Sequence, residues 1–171
     1  MTNVNNPIGF WPVGHLTGGE IRTHEYVLTT GSTVFKGDVV KAVAAGTVQP
    51  AAAGDDLVVI GVAAEYVSDA GSVGGRTIQV YDDPYIIFGV QASGGVSLNQ
   101  LAVFATANHV VGAGNPVTLL SGHQLNTATI GTTGQLKILG IVDAPNNFWG
   151  EFVDLKVVFA KHMFNAAVPG V

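Results

Sequence analysis

Carboxylates and imidazoles are the groups with which this chain would do acid–base or metal chemistry. The carboxylates include two adjacent pairs, Asp55-Asp56 and Asp82-Asp83. General acid–base catalysis needs two titratable groups converging in one cleft. Neighbours on a turn point apart and normally accept backbone N–H bonds. With Gly54 before the first pair and Pro84 after the second, both read as structural turn carboxylates. The five histidines, His15, His24, His109, His123 and His162, show neither the i, i+4 pairing nor the short spacing that preorganises a zinc site. A hydrolase would require His109 or His123 to meet a carboxylate. The absence of cysteine excludes disulfides, thiolate ligands and cysteine nucleophiles. Ala92-Ser93-Gly94-Gly95 lacks the Gly-x-Ser-x-Gly elbow of a serine nucleophile.

The glycine-rich loops fare no better as anion sites. Gly112-Ala113-Gly114 is half a dinucleotide fingerprint, but Pro116-Val117 stands where its helix would continue, and Ser72-Val73-Gly74-Gly75-Arg76 has no Walker lysine. Lys36-Gly37-Asp38 resembles an integrin-type tripeptide, yet it is accounted for as a tight turn with positive φ at Gly37. We therefore expect no catalytic, cofactor-binding or metal-binding residues, and no enzyme.

The residues that core packing leaves unexplained are aromatic: Phe10-Trp11-Pro12 near the start, and Phe148-Trp149 after the polar Pro145-Asn146-Asn147. Rigid aromatic side chains cover large areas at low entropy cost and are enriched at the anchors of protein interfaces. Phe10, Trp11, Pro12, Phe148 and Trp149 are accordingly the expected interface residues. Trp149 fits equally well as a cap on the domain's own core.

The elements that must position these groups are strands. Thr77–Tyr81 and Val153–Val157 alternate apolar with polar residues, and Glu25–Thr29, Val39–Val43, Leu57–Ala63, Tyr85–Gln91, Val117–Leu120 and Leu136–Val142 are β-rich, with glycine turns between them. Only Ser97–Ala107 carries helical spacing. The pattern predicts an all-β domain, a compact β-barrel or jelly roll with an extended N-terminal arm. The arm covers residues 1–20, the domain 21–165 and an uncharged tail 166–171. Gly37-Asp38-Val39-Val40 and Leu57–Ala63 are echoed by Gly114-Asn115-Pro116-Val117 and Leu136–Val142. The echo fits two similar units, about 25–91 and 100–164, and equally fits chance self-alignment. Gly61 and Gly140 read as bulges or bends in either case.

Over 171 residues, charged side chains make up 11% and the net charge is −5. An average soluble domain carries about 25% charged residues. The seven basic residues are unclustered, which argues against a nucleic-acid partner. No apolar run approaches the roughly 18 residues of a membrane helix, and the opening residues have no secretory pattern. A cytoplasmically made, soluble subunit that hides surface against neighbours is the expected class.

The order of these features is similar to that of the small decoration, or cement, proteins of tailed-bacteriophage heads. The resembling segments are Asn6-Pro7-Ile8-Gly9-Phe10-Trp11-Pro12-Val13, Val34-Phe35-Lys36-Gly37-Asp38-Val39-Val40, Ile60-Gly61-Val62-Ala63, Val80-Tyr81-Asp82-Asp83-Pro84 and Leu136–Val142. They span most of the chain, and none is a catalytic signature. The resemblance implies a β-rich virion protein on the capsid exterior, bound to the major capsid protein, often as a homotrimer at local three-fold positions, stabilising the shell. A glycan- or receptor-binding β module of a phage tail or fibre is the alternative expectation.

Overall fold

Val59–Ala63 is apolar at every position because both of its faces are buried. It is the middle strand of one of the two five-stranded sheets in the computed structural model, which describes residues 2–55 and 59–165. In chain order the strands are β1 (Trp11–His15), β2 (His24–Val27), β3 (Thr33–Val34), β4 (Val39–Val43), β5 (Thr47–Pro50), β6 (Val59–Ala63), β7 (Val67–Ser68), β8 (Thr77–Tyr81), β9 (Ile86–Gln91), β10 (Thr106–Ala107), β11 (His109–Val110), β12 (Gln124–Leu125), β13 (Leu136–Ile141) and β14 (Asp154–Phe159). All their ladders are antiparallel, in two five-stranded sheets ordered β1-β9-β14-β13-β10 and β2-β8-β6-β4-β5, with β11-β12 and β3-β7 as small pairs. The chain is all-β and sandwich-like, as its alternation predicts.

One core lies between the sheets. Val39, Val59 and Val62 from the second sheet pack with Ile86, Phe88, Val90, Leu136, Ile138, Leu155 and Val157 from the first. The other face of the second sheet encloses a separate cluster of Leu28, Val34, Val40, Val48, Ile60, Ala63, Ile78 and Val80. That sheet curls until its edges touch: Leu28 bridges Val48, and the Thr29 amide donates to the Val48 carbonyl at 2.8 Å. This single point falls short of the continuous ladder that would close a barrel.

Two glycines shape the sheets. Gly61 sits beside a register shift between β4 and β6, and Gly140 beside one between β13 and β14. Their φ values of +145° and +153° lie where side-chain-bearing residues are strained. Both are therefore the bulge positions that the sequence suggests.

Several expectations need correction. The N-terminal segment is not an arm without an element, because Trp11–His15 pairs with β9 as an edge strand. Pro12 is tolerated there because an edge strand has one side with no ladder to satisfy. Ser97–Ala107 is not a helix; a 3₁₀ turn at Gln100–Ala102, capped by the Asn99 side chain, leads into β10. Val117–Leu120 is not a strand either. Asn115 accepts the Val117 and Thr118 amides at 2.9 and 3.1 Å, and Leu119 takes a φ of +60°, so a side-chain-capped turn wins over β propensity. The sheets also cut across the two expected units, since β9 falls in the first range by sequence but pairs with β14. Asp56, Leu57, Val58 and the tail 166–171 lie outside the described residues.

Candidate functional site

The arm and the late aromatic loop, far apart in sequence, meet at one end of the sandwich. Asn3 makes the junction. Its amide nitrogen donates to the Phe148 and Glu151 carbonyls, both at 2.8 Å, and its oxygen accepts the Phe148 amide at 3.1 Å. Gln91, at the end of β9, holds the next residues by donating to the Val4 carbonyl at 3.1 Å and accepting the Asn6 amide at 2.9 Å. Residues 2–8 thus follow the domain through side-chain hydrogen bonds, without joining a ladder.

The loop is rigid for a similar reason. Asn147 donates to the Val142 and Asp154 carbonyls, both at 2.8 Å, and accepts the Asp154 amide at 2.9 Å. It ties β13 to β14 and leaves Phe148 standing out at 38% exposure.

Between arm and loop lies a groove of about 600 Å³, with Trp11, Phe148, Phe152 and Ile8 as its apolar lining and Asn3, Gln91, Asn146 and Asp154 as polar lining. Trp11 lies flat because β9 has a glycine beneath it: a Cβ at Gly89 would fall 2.3 Å from the indole ring. Burial raises the Asp154 carboxyl above its usual range, against a Gln91 hydrogen bond that lowers it. An aromatic floor with an amide rim suits stacking and hydrogen bonding. It offers no pair of converging titratable groups for proton transfer.

Of the expected interface residues, Trp11 and Phe148 line this groove, and Pro12 is half-buried in β1. Trp149 packs against the core between the sheets. Phe10 is a correction. It is 3% exposed, with its ring 6.1 Å from Phe159 and 6.5 Å from Phe88, so it belongs to the domain's own core and presents nothing to a partner. The chain reaches that position by a close crossing, in which a Cβ on Gly9 would lie 2.6 Å from the Gly37 carbonyl oxygen and one on Gly37 2.8 Å from the Ile8 carbonyl oxygen.

Asp55 and Asp83 accept backbone amides as turn carboxylates are expected to, whereas Asp82 departs from that expectation and gathers two titratable side chains. Asp82 accepts the Tyr26 hydroxyl at 2.5 Å and lies 2.8 Å from His24, while Asp83 takes His15 at 3.1 Å and the Tyr85 amide at 2.8 Å. Burial, and then Asp82, raises the Tyr26 hydroxyl pKa far above the usual tyrosine value. Asp55 accepts the Ala52 amide at 2.6 Å and pairs with Lys41 at 2.8 Å.

His123 does meet a carboxylate, at 3.5 Å from Asp38, with Ser121 beside it. All three are at most 4% exposed, so a substrate has no access to them in this arrangement. Because Nδ1 of His123 accepts the Val39 amide, Nε2 carries the proton that faces Asp38. Burial, with His109 stacked 5.4 Å away, lowers the His123 pKa to about 3, and burial raises the carboxyl of Asp38. This is a cross-link between β4 and the segment before β12. Among the described residues, no group of three or more His, Asp or Glu is placed to hold a metal ion, and no helix is long and apolar enough to cross a membrane.

The sequence reading missed Asn3 and Gln91, whose roles depend on long-range pairing. It also missed Leu101 and Phe104, which project into solvent at 89% and 77% exposure from the turn before β10. The signal available was their spacing within Ser97–Ala107, which a helix reading absorbed. Phe104 adopts a φ of +70°, a left-handed conformation that costs a bulky residue about 1–3 kcal/mol. No protein-family model matches the chain, and no curated protein matches it.

Proposed function

We propose that this chain is a non-enzymatic structural protein of a phage virion that binds the outside of the capsid shell through the end carrying the Trp11–Phe148 groove. The observation that carries the reading is the junction at Asn3. It brings two separate aromatic segments into one rigid, partly exposed surface, while the buried Asp38–His123 pair is sealed from substrate. The low charge of the chain and its segment-by-segment likeness to head decoration proteins support the same class. The partner in this reading is the major capsid protein, engaged by a homotrimer. Binding only to the assembled shell would favour that state by the binding free energy, and several copies clamping neighbouring capsid subunits would add avidity.

The test is co-sedimentation of the purified chain with heads built from the capsid protein of the phage that encodes it. The natural chain should pellet to saturation, and Phe148→Ser should weaken binding by about tenfold or more, as loss of an aromatic anchor does. A natural chain that stays in the supernatant would refute the reading. The groove's amide rim beside aromatic rings also supports the alternative of a glycan-binding tail module. Trp11-dependent retention on a glycan array, with no pelleting on heads, would favour it.

A further inference from the structure

Among the described residues, Leu101 and Phe104 are the most exposed pair of large apolar side chains close together in sequence, and their turn lies outside the groove. It is held rigidly. The Leu101 amide donates to the Asn99 side chain at 2.9 Å, the Phe104 amide to the Ile138 carbonyl at 2.8 Å, and the Ala105 amide to the Ala102 carbonyl at 3.1 Å. Ala102, between the two exposed residues, is buried and anchors the turn to the core between the sheets. Phe104 is thus kept outward by a pinned backbone in a left-handed conformation that a glycine would occupy without strain. An exposed aromatic on a fixed backbone loses little freedom on binding.

Charge indicates what covers it. From Pro84 to Leu136 the chain has no Asp, Glu, Lys or Arg, although it carries a net charge of −5; every acidic residue lies at 20–83 or 143–154. Residues 20–83 carry nine acidic and four basic side chains and residues 143–154 three acidic ones, so two copies meeting through either would set net like charge against like. This turn instead presents uncharged apolar side chains, with Lys137 opposite Thr106 and Glu151 next to Gly150, whose carbonyl accepts the Leu98 amide, as charges close to it in the fold. We propose that the Gln100–Phe104 turn is the contact by which copies of this chain associate, Leu101 and Phe104 of one copy packing on the same residues of the next around a rotation axis. The inference rests on the reading that the protein acts as an oligomer, and assigns that oligomer its anchor.

Sedimentation equilibrium of the full chain tests it, across about a hundredfold range of concentration around the dissociation constant. The natural chain should associate, and Leu101→Ser and Phe104→Gly should each weaken association by about tenfold or more. Phe104→Gly removes the ring where glycine is favoured, so its melting temperature at low concentration should stay close to that of the natural chain and exclude misfolding as the cause. Association unchanged in both variants would overturn the proposed contact and leave the oligomer reading standing. A natural chain that is monomeric throughout would overturn both. If that monomer pelleted with phage heads and the variants did not, the turn would face the shell instead, which also overturns the proposal.

Discussion

His123 and His162 are kept neutral by burial, with pKa values lowered from 6.5 to about 3 and about 4. For His162 the carbonyl of Ile60 and the charges of Asp82 and Asp83 oppose that shift without cancelling it. Its Nδ1 accepts the Phe164 amide at 3.1 Å, and its Nε2 has no hydrogen-bond partner of ordinary geometry among the described residues. The unfolded chain takes up protons at these histidines near pH 6.5 while the folded one does not, so stability falls as pH drops from about 6.5 toward 4, by up to about 1.4 kcal/mol per unit for each histidine. Asp38, with its raised carboxyl pKa, acts in the opposite sense. The histidine contribution is therefore read by substitution. His162→Phe keeps a ring and removes the titratable imidazole, and urea unfolding across that range should give a flatter stability profile than the natural chain. Equal slopes for the two proteins would contradict the assignment.

At the scale of elements, the bulge glycines give the sharpest contrast. A Cβ at Gly61 would lie 1.9 Å from the Tyr81 carbonyl oxygen, whereas at Gly140 it would meet nothing within 4 Å. Gly140→Ala should cost about 1–3 kcal/mol of backbone strain in urea unfolding, and Gly61→Ala should cost clearly more, because β6 and β8 would have to separate. The Asn3 junction is the other element-scale device. Asn3→Ala should lose about 1–2 kcal/mol of local stability through its missing hydrogen bonds, and amide exchange of Phe148 should accelerate while that of β9 does not. Period-two alternation made β8 and β14 legible, apolar runs revealed β6 and β9, and β-branched, apolar-rich stretches broken by a single lysine revealed β4 and β13, because burial on one or both faces writes itself into residue type. The two-residue strands β3, β7, β10, β11 and β12 were illegible, being too short to show a period. Trp11–His15 hid for another reason: Pro12, Gly14 and His15 are poor strand residues, and pairing with β9 overrides them. The aromatic residues of the candidate surface were visible as residue types. That Phe10 turns inward while Trp11 turns toward the groove follows from the glycine crossing at Gly9 and Gly37 and from Gly89, which a linear sequence does not join.

For the whole molecule, the position of Phe10 separates folding from binding. Phe10→Ala should destabilise the domain by about 3–5 kcal/mol, as emptying an aromatic core site does. Phe148→Ser, at a half-exposed position, should leave the melting temperature within a few degrees and act on partner binding alone. Thermal unfolding of both variants, followed by co-sedimentation with heads, checks that division; a severe loss of stability in Phe148→Ser would place the loop in the core instead. The protein is a two-sheet body whose aromatic end we propose to meet the shell and whose apolar turn we propose to meet its own copies. The most direct test of the proposed capsid role is electron cryo-microscopy of heads of the phage that, under this proposal, encodes the chain, grown with and without its gene. The account predicts density of this domain on the outer shell surface that disappears with the gene, together with heads that rupture at a lower temperature. Shells that are identical in both preparations would contradict it.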